Sequence, residues 1–368
     1  MEALLEPLRE LAEIEEIQNE KKKEAGLIQI TGCVGSQKTH LTCALGSDCK
    51  YKLIVTSGES KAKQMYEEYR FLKETVYLYP AKDLLFYHAD LRGKQLVSSR
   101  METIQALLLG EGCTVITTFD AFMDSLLPIE TIRERVFSLK VGDIIDFEKV
   151  QKDLTLLGYE REVQIEGPGQ FAVRGGILDV YPLTEEVPVR IELWDDEIDS
   201  IRTFDVESQR SIENLEEITI YPASEFMDEK TKRVSFLDYF PREDTLLFLE
   251  ETARLIEQGE AVEAEFIESM KKRVETGCEV SDEEAKLFAP KEIASKMNQY
   301  PGIGLSILEG KRNLFHVKKS IHLQVKGVNP YNNSFETLTR DLARLKRSGY
   351  RVILLSGSRT RAKRLAED

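Results

Sequence analysis

A single tryptophan, four histidines and five cysteines are few metal-binding or redox residues for a chain of 368. Cys33, Cys43, Cys49, Cys113 and Cys278 form no CxxC pair, and His40, His88, His316 and His322 do not fall into a metal-ligand spacing. No metal site is expected, and each cysteine reads as a packing residue. Net positive charge is also lacking, since 65 Asp and Glu outnumber 50 Lys and Arg to give −15. That balance argues against a broad electrostatic grip on DNA or on an anionic membrane. No long apolar run or signal peptide is present, because the start MEALLEPLRELAEIEE is amphipathic and acidic. A cytoplasmic protein with reduced thiols and no membrane partner is expected. What remains, 42% hydrophobic and 31% charged residues, is the composition of a globular protein long enough for two or three domains.

Periodicity supplies the organisation. Leu4, Leu8, Leu11, Ile14 and Ile17 recur at three- or four-residue steps, predicting one amphipathic helix over residues 1–25 that runs into the basic stop Lys21-Lys22-Lys23. LIQITG, KLIVTS, TVYLYP and CTVITT then alternate with helical stretches such as KAKQMYEEYRFLK, the pattern of a parallel sheet covered by helices. From about Pro128, strand-like runs punctuated by Gly, Pro and Asp (VFSLKVGDII, QFAVRGGILDVYP, EEITIYPA) predict a mostly antiparallel second domain, interrupted by one helix that ends at Gly158. IGLSILEG and SIHLQVKG are expected to return to the first sheet. The tail, residues 329–368, reads as helix, strand, helix, and the chain is expected to end inside a further domain. The expected divisions are 1–125, an inserted 126–222, a returning 223–328 and the 329–368 fragment.

"GCVGSQKTH", residues 32–40, sits where a strand hands over to a helix. In the phosphate-loop pattern G-x-x-x-x-G-K-[ST], Gly32, Lys38 and Thr39 fit, while Gln37 replaces the second glycine. That glycine lets consecutive N–H groups approach the phosphates, and a side chain there crowds the cradle. The loop is therefore read as descended from a nucleotide site without retaining turnover. The plain alternative is an ordinary strand-to-helix turn that uses Gly35 and Ser36 for chain reversal.

Three further stretches, QFAVRGGILDVYP, RIELWDDEIDSIRTFDVESQRS and SFLDYFPREDTLLFLEE, together with the loop and in this order, resemble the module shared by the UvrB-type excision-repair helicases and the bacterial transcription-repair coupling factors. The resemblance covers about residues 25–325 and implies a degenerate RecA-like parallel-sheet α/β domain, an inserted small antiparallel α+β domain and the start of a further α/β domain. UvrB-like helicases carry a long DNA-probing hairpin, whereas the matching interval here, Ala81 to Val97, is too short for one. Phe86 and Tyr87 within it read as core or rim residues rather than base-stacking platforms. An active motor has Asp-Glu after the strand TLLFL; this chain has Glu250-Glu251, which displaces the carboxylate that magnesium needs. The alternative for that pair is a solvated helix start. The resemblance to the coupling-factor family, whose amino-terminal module has lost turnover and DNA probing, accounts for these departures.

On that resemblance the chain is a non-catalytic adaptor with no cofactor of its own. ATP and Mg belong to a motor region absent from it, as do the contacts to RNA polymerase and duplex DNA. The implied partner is UvrA, docked by arginines at positions matching Arg161, Ala172 and Arg174, two of which are arginine here. Strand alternation puts Phe171 and Val173 on one face, which enters the core, and Ala172 and Arg174 on the other, where Arg174 stands outward with Gly175-Gly176 as a bulge that aims it. Without the resemblance, Arg174 reads as a surface salt-bridge residue, and Glu160 and Glu162 could neutralise Arg161. Trp194 reads as a packing or rim residue. Weak DNA binding at physiological salt is expected, with Arg340, Arg344, Lys346, Arg347 and Arg351 the place for it, unless they form only a solvated helix face. The rival reading is an ATP-dependent UvrB-type helicase fragment that binds DNA.

Overall fold

The computed structural model describes residues 2–21, 25–72, 75–82, 91–224, 232–276, 287–308, 310, 314–328, 331, 334–354, 356 and 358–367. Phe86 and Tyr87, with the rest of residues 83–90 in the interval from Ala81 to Val97, lie outside them. Two helices open the chain, α1 (Glu2–Arg9) and α2 (Ala12–Lys21), where the sequence suggests one. The break follows Pro7, with Glu10 and Leu11 N–H groups turning back to the Pro7 and Leu8 carbonyls in short i→i−3 bonds. Lys21 is no exposed stop either. It is buried, its ammonium donating to the Leu45 carbonyl and to Asp48.

Strand and helix then alternate as the pattern requires: β1 (Gly26–Thr31), α3 (Gln37–Leu45), β2 (Tyr51–Thr56), α4 (Glu59–Arg70), β3 (Val76–Tyr79), α5 (Leu91–Leu109) and β4 (Cys113–Thr118). After a short α6 (Ile129–Arg133), the inserted region holds β5 (Phe137–Lys140), α7 (Phe147–Leu156), β6 (Glu160–Glu162), β7 (Gln170–Arg174), β8 (Ile177–Tyr181), β9 (Val189–Trp194), β10 (Glu197–Phe204), β11 (Ser211–Leu215) and β12 (Glu217–Ile220). The chain returns through β13 (Thr245–Glu250), α8 (Thr252–Glu275), α9 (Pro290–Met297), β14 (Pro301–Leu305) and β15 (Val317–His322).

Seven strands pair in the order β15-β1-β14-β13-β2-β4-β3, all parallel. IGLSILEG and SIHLQVKG thus supply one inner and one edge strand of this first sheet. β2, β4 and β13 are buried at every position, as central strands covered on both faces must be. Alternation divides their side chains between two cores. Leu53, Val55, Leu247 and Leu249 face one, while Ile54, Leu246 and Phe248 face the other. The inserted region has its own six-stranded sheet, β11-β10-β9-β8-β7-β6, antiparallel except for the β6–β7 pair, and a two-stranded β5–β12 ribbon. Its core packs Phe171, Leu178, Val180, Ile191 and Ile201 against Val150 and Leu154 of α7. This is the expected α/β architecture, a parallel-sheet body carrying a mainly antiparallel insertion.

Contacts divide the chain into residues 1–325 and 326–368. The second unit holds α10 (Phe335–Arg347) and α11 (Arg359–Glu367). The strand expected between them is not formed among the described residues. Residues 350–354 pair with no strand among the described residues, and Val352, Ile353 and Leu354 are exposed. An extended apolar run needs neighbouring strands to satisfy its backbone groups, and none is supplied.

Candidate functional site

β1 delivers its loop to the carboxyl end of the parallel sheet, next to the end of β13 through β14. Gly32 has φ +83, and a Cβ there would lie 2.1 Å from the Leu323 carbonyl oxygen, so the first glycine of the pattern is sterically required. Gly35 has φ +54 and open space around it. Several backbone N–H groups of the loop are already donating. Gly32 and Cys33 bond the Ile307 and Ser306 carbonyls at 3.0 and 3.1 Å. Gln37 and Lys38 bond back to Val34 and Gly35 at 3.3 and 3.4 Å. Gln37 does more than crowd the loop, because its Oε1 accepts the Val34 N–H at 3.3 Å and so occupies an anion's place.

The lysine of the motif is also engaged. Lys38 Nζ is buried and lies 2.6 Å from both Glu250 Oε1 and Glu251 Oε1. Glu251 Oε1 further accepts the Ile307 N–H at 3.0 Å, and Glu251 itself stands in the left-handed region (φ 52, ψ 64), unusual for a side chain of its size. The solvated helix start is therefore corrected. One ammonium between two carboxylates needs both of them at low dielectric, and this holds the pair inward. The cluster's net charge is −1, which opposes a polyphosphate. Thr39, the hydroxyl that binds magnesium in an intact loop, donates to Glu68 Oε2 on α4 at 2.6 Å. Beside them, burial pushes the Cys33 thiol up to about 11, with Lys38 pulling it down and Glu251 pushing it further up. It is no nucleophile at neutral pH.

The second candidate lies on the inserted sheet. Phe171 and Val173 do face its core, and Arg174 stands on the other face with its side chain 44% exposed. Gly175-Gly176 is not a bulge. Arg174 pairs with Ile177, so the glycines form the two-residue turn of the β7–β8 hairpin, with Gly175 at φ +61. Arg174 Nη2 donates to Asp179 Oδ2 at 2.7 Å. The same buried carboxylate receives Arg190 through Nε at 2.6 Å and Nη2 at 2.9 Å. Arg190 also donates to Gln209 at 2.7 Å and lies 4.2 Å over the Phe204 ring. The Asp179 hydrogen bond raises the Arg190 pKa further still. Two guanidinium groups thus share one carboxylate. Arg174, held by a single bond and half exposed, keeps donors for a second carboxylate.

Ala172 does not reach solvent. It is 1% exposed and packs with Ile165, Phe204 and Tyr181 in a small second cluster on the Arg174 face. Arg161 is exposed on edge strand β6, where the parallel register sets it opposite Phe171. Directly paired residues project to the same side, so Arg161 and Arg174 are on opposite faces. Trp194 is 81% exposed at the end of β9 rather than packed. Asp179 was missed in the sequence, although a lone carboxylate within the apolar strand ILDVY is the signal that could have found it.

Comparison with known proteins adds a family context. Residues 137–226 match the family model described as the UvrB interaction domain. The chain is 27% identical to the transcription-repair-coupling factor of Bacillus subtilis (strain 168) over 400 residues, 92% of this chain and 34% of that protein. It is 36% identical to the one of Staphylococcus epidermidis (strain RP62A) over 203 residues, covering 54% of this chain and 17% of the relative. For the one of Staphylococcus aureus (strain MRSA252) the values are 40% over 154 residues, 42% and 13%. The chain thus spans about a third of the length of the Bacillus relative. These matches bear out the resemblance to the amino-terminal, UvrB-like module of transcription-repair-coupling factors.

Proposed function

We propose that this chain is a non-catalytic adaptor for transcription-coupled repair, whose inserted sheet recruits UvrA to RNA polymerase stalled at damage. The observation that carries this reading is the joint state of the two candidate sites. The nucleotide loop is closed upon itself by Lys38, Glu250 and Glu251, while the region matching the UvrB interaction domain presents a half-exposed arginine. A helicase reading requires Lys38 to meet a nucleotide phosphate, and its ion pairs oppose that. No cofactor is assigned to the chain. RNA polymerase and duplex DNA would be engaged chiefly by the rest of a longer protein.

The test is a binding titration of purified UvrA against the wild-type chain and Arg174→Glu. Reversal is expected to lower affinity at least tenfold, about 1.4 kcal/mol, because it replaces a donor by a like charge facing the partner's carboxylates. The thermal midpoint should fall modestly, because the new carboxylate stands beside buried Asp179, which keeps its bidentate bond to Arg190. A folded Arg174→Glu with unchanged affinity would remove the docking assignment.

A further inference from the structure

Each sheet ends in two bordering strands, β15 and β3 in the parallel sheet, β11 and β6 in the inserted sheet, and β5 and β12 in the ribbon. Five of the six carry a charged side chain, such as Lys318 and Lys319 on β15, Glu213 on β11, Glu160 on β6, Lys140 on β5 and Glu217 on β12. β3, Val76-Tyr77-Leu78-Tyr79, carries none. Charge on an edge strand opposes its pairing with another copy of the same edge, so β3 alone among these borders lacks that protection.

The backbone of β3 has a defined open side. The Thr75 carbonyl accepts the Thr114 N–H at 3.3 Å and the Tyr79 carbonyl accepts the Thr117 hydroxyl at 2.6 Å, both from β4. Alternation then turns the N–H and C=O of Val76 and Leu78 away from β4, to a side where no strand pairs with β3 among the described residues. Pro80 ends this row, since it has no N–H and its carbonyl accepts Arg100 Nη1 at 2.6 Å. Beside the edge, Phe71 closes α4 and Leu109 ends α5, one helix on each face of the sheet, and these two apolar side chains are 77% and 57% exposed.

We propose that β3 pairs antiparallel with β3 of a second copy of this chain, about a two-fold axis through Tyr77. In that register Val76 of each copy lies opposite Leu78 of the other, and each such pair exchanges both of its outward N–H···O bonds. Tyr77 meets Tyr77 of the second copy as a non-hydrogen-bonded pair with Cα atoms about 4.5 Å apart, where aromatic pairs are favourable. A second copy is the fitting occupant because an uncharged edge gives an ionic partner nothing to select, whereas identical apolar edges match across a two-fold axis. The paired segment is short, so the dimer is weak and forms only as concentration rises. Each copy carries −15, so the acidic bodies repel and association strengthens as salt screens them, the reverse of an ionic interface. This inference is independent of UvrA docking, which concerns the inserted sheet.

The experiment follows the full 368-residue chain by sedimentation equilibrium between about 1 and 200 µM, the range in which weak complexes dissociate. Wild type should rise toward twice the monomer mass with concentration, and further at about 1 M KCl than at about 0.1 M, as the Debye length shortens from about 10 to 3 Å. Tyr77→Lys and Tyr77→Glu each set like charges opposite one another at the axis and should weaken association at least about tenfold, with circular dichroism unchanged. Mixed in equal amounts, the two variants should pair again to within about threefold of wild type, because opposite charges then face each other. Loss of fold cannot give that recovery. Leu78→Pro removes an outward N–H while leaving the ladder to β4, and it supplies the same reading if the Tyr77 variants unfold. A wild type that stays monomeric at about 200 µM, no recovery in the mixture, or an association untouched by Tyr77→Lys or Leu78→Pro, as one through the exposed run Val352, Ile353 and Leu354 would be, would each overturn the proposal.

Discussion

Replacing Lys38 by methionine removes the charge between Glu250 and Glu251 while keeping a side chain of similar length. Lys38 and Glu250 are 4% and 6% exposed at the side chain and Glu251 17%, so water cannot take the ammonium's place without opening the loop. Removing one partner of a buried pair leaves an uncompensated charge and costs about 3–5 kcal/mol. Here two carboxylates are left facing each other, which places the expectation at the upper end of that range. Glu250→Gln should cost less, about 1–3 kcal/mol, since Lys38 retains Glu251 and the amide can still accept a hydrogen bond.

The measurement is urea unfolding followed by far-ultraviolet circular dichroism. Tryptophan fluorescence is the wrong probe, because Trp194 is already 81% exposed and lies on the inserted sheet, away from the loop. In a double-mutant cycle, Lys38→Met with Glu250→Gln should be less damaging than the two separate losses together, giving a coupling of 1 kcal/mol or more. The competing picture, a lysine held open for nucleotide, predicts a loss under about 1 kcal/mol, as for an exposed ion pair. A Lys38→Met loss that small, or no coupling to Glu250, would refute the closed-loop account.

Calorimetry with ATP and magnesium should show no micromolar binding, and Gln37→Gly alone should not restore it, because Lys38 stays paired and Thr39 stays bonded to Glu68. Arg161→Glu and Arg174→Glu, if both weaken UvrA binding, should combine additively within about 0.5 kcal/mol, since the register sets them on opposite faces; strong non-additivity would show a shared contact. Ala172→Arg should not strengthen docking. It should destabilise the inserted domain by about 1–3 kcal/mol or more in thermal unfolding, because the site is buried among Ile165, Phe204 and Tyr181.

Local patterns were legible, and so were the elements they specify. Strand–helix alternation gave the parallel sheet, and Gly32 and Lys38 marked its first loop because the motif is contiguous. The partners of that lysine were not legible, since Glu250 lies 212 positions away and only the strand order brings it alongside. Period two correctly parted Phe171 from Arg174 and set Ala172 on the Arg174 face, but it did not show that Ala172 is buried there. Alternation assigns a residue to a face, whereas its exposure depends on what else covers that face, here Ile165 and Phe204. The facing of Arg161 depends on the parallel β6–β7 register, which residues 163–169 set by their path and not by any periodic signal.

The closed loop also has a topological consequence. Lys38 belongs to the segment that precedes the inserted sheet, and Glu250 and Glu251 to the strand end that follows it. Their ion pairs join the two sides of the insertion at the carboxyl edge of the parallel sheet. In an active nucleotide site the same positions must exchange partners with each turnover, so they cannot serve as fixed ties. Glutamate at position 250, one methylene longer than aspartate, reaches the lysine, and Gln37 satisfies the loop from within. On the proposed reading, these contacts oppose nucleotide binding and tie together the body that carries the inserted sheet. A body held in one arrangement needs less ordering on binding, which suits the proposed adaptor, whereas a motor must change its contacts with each turnover.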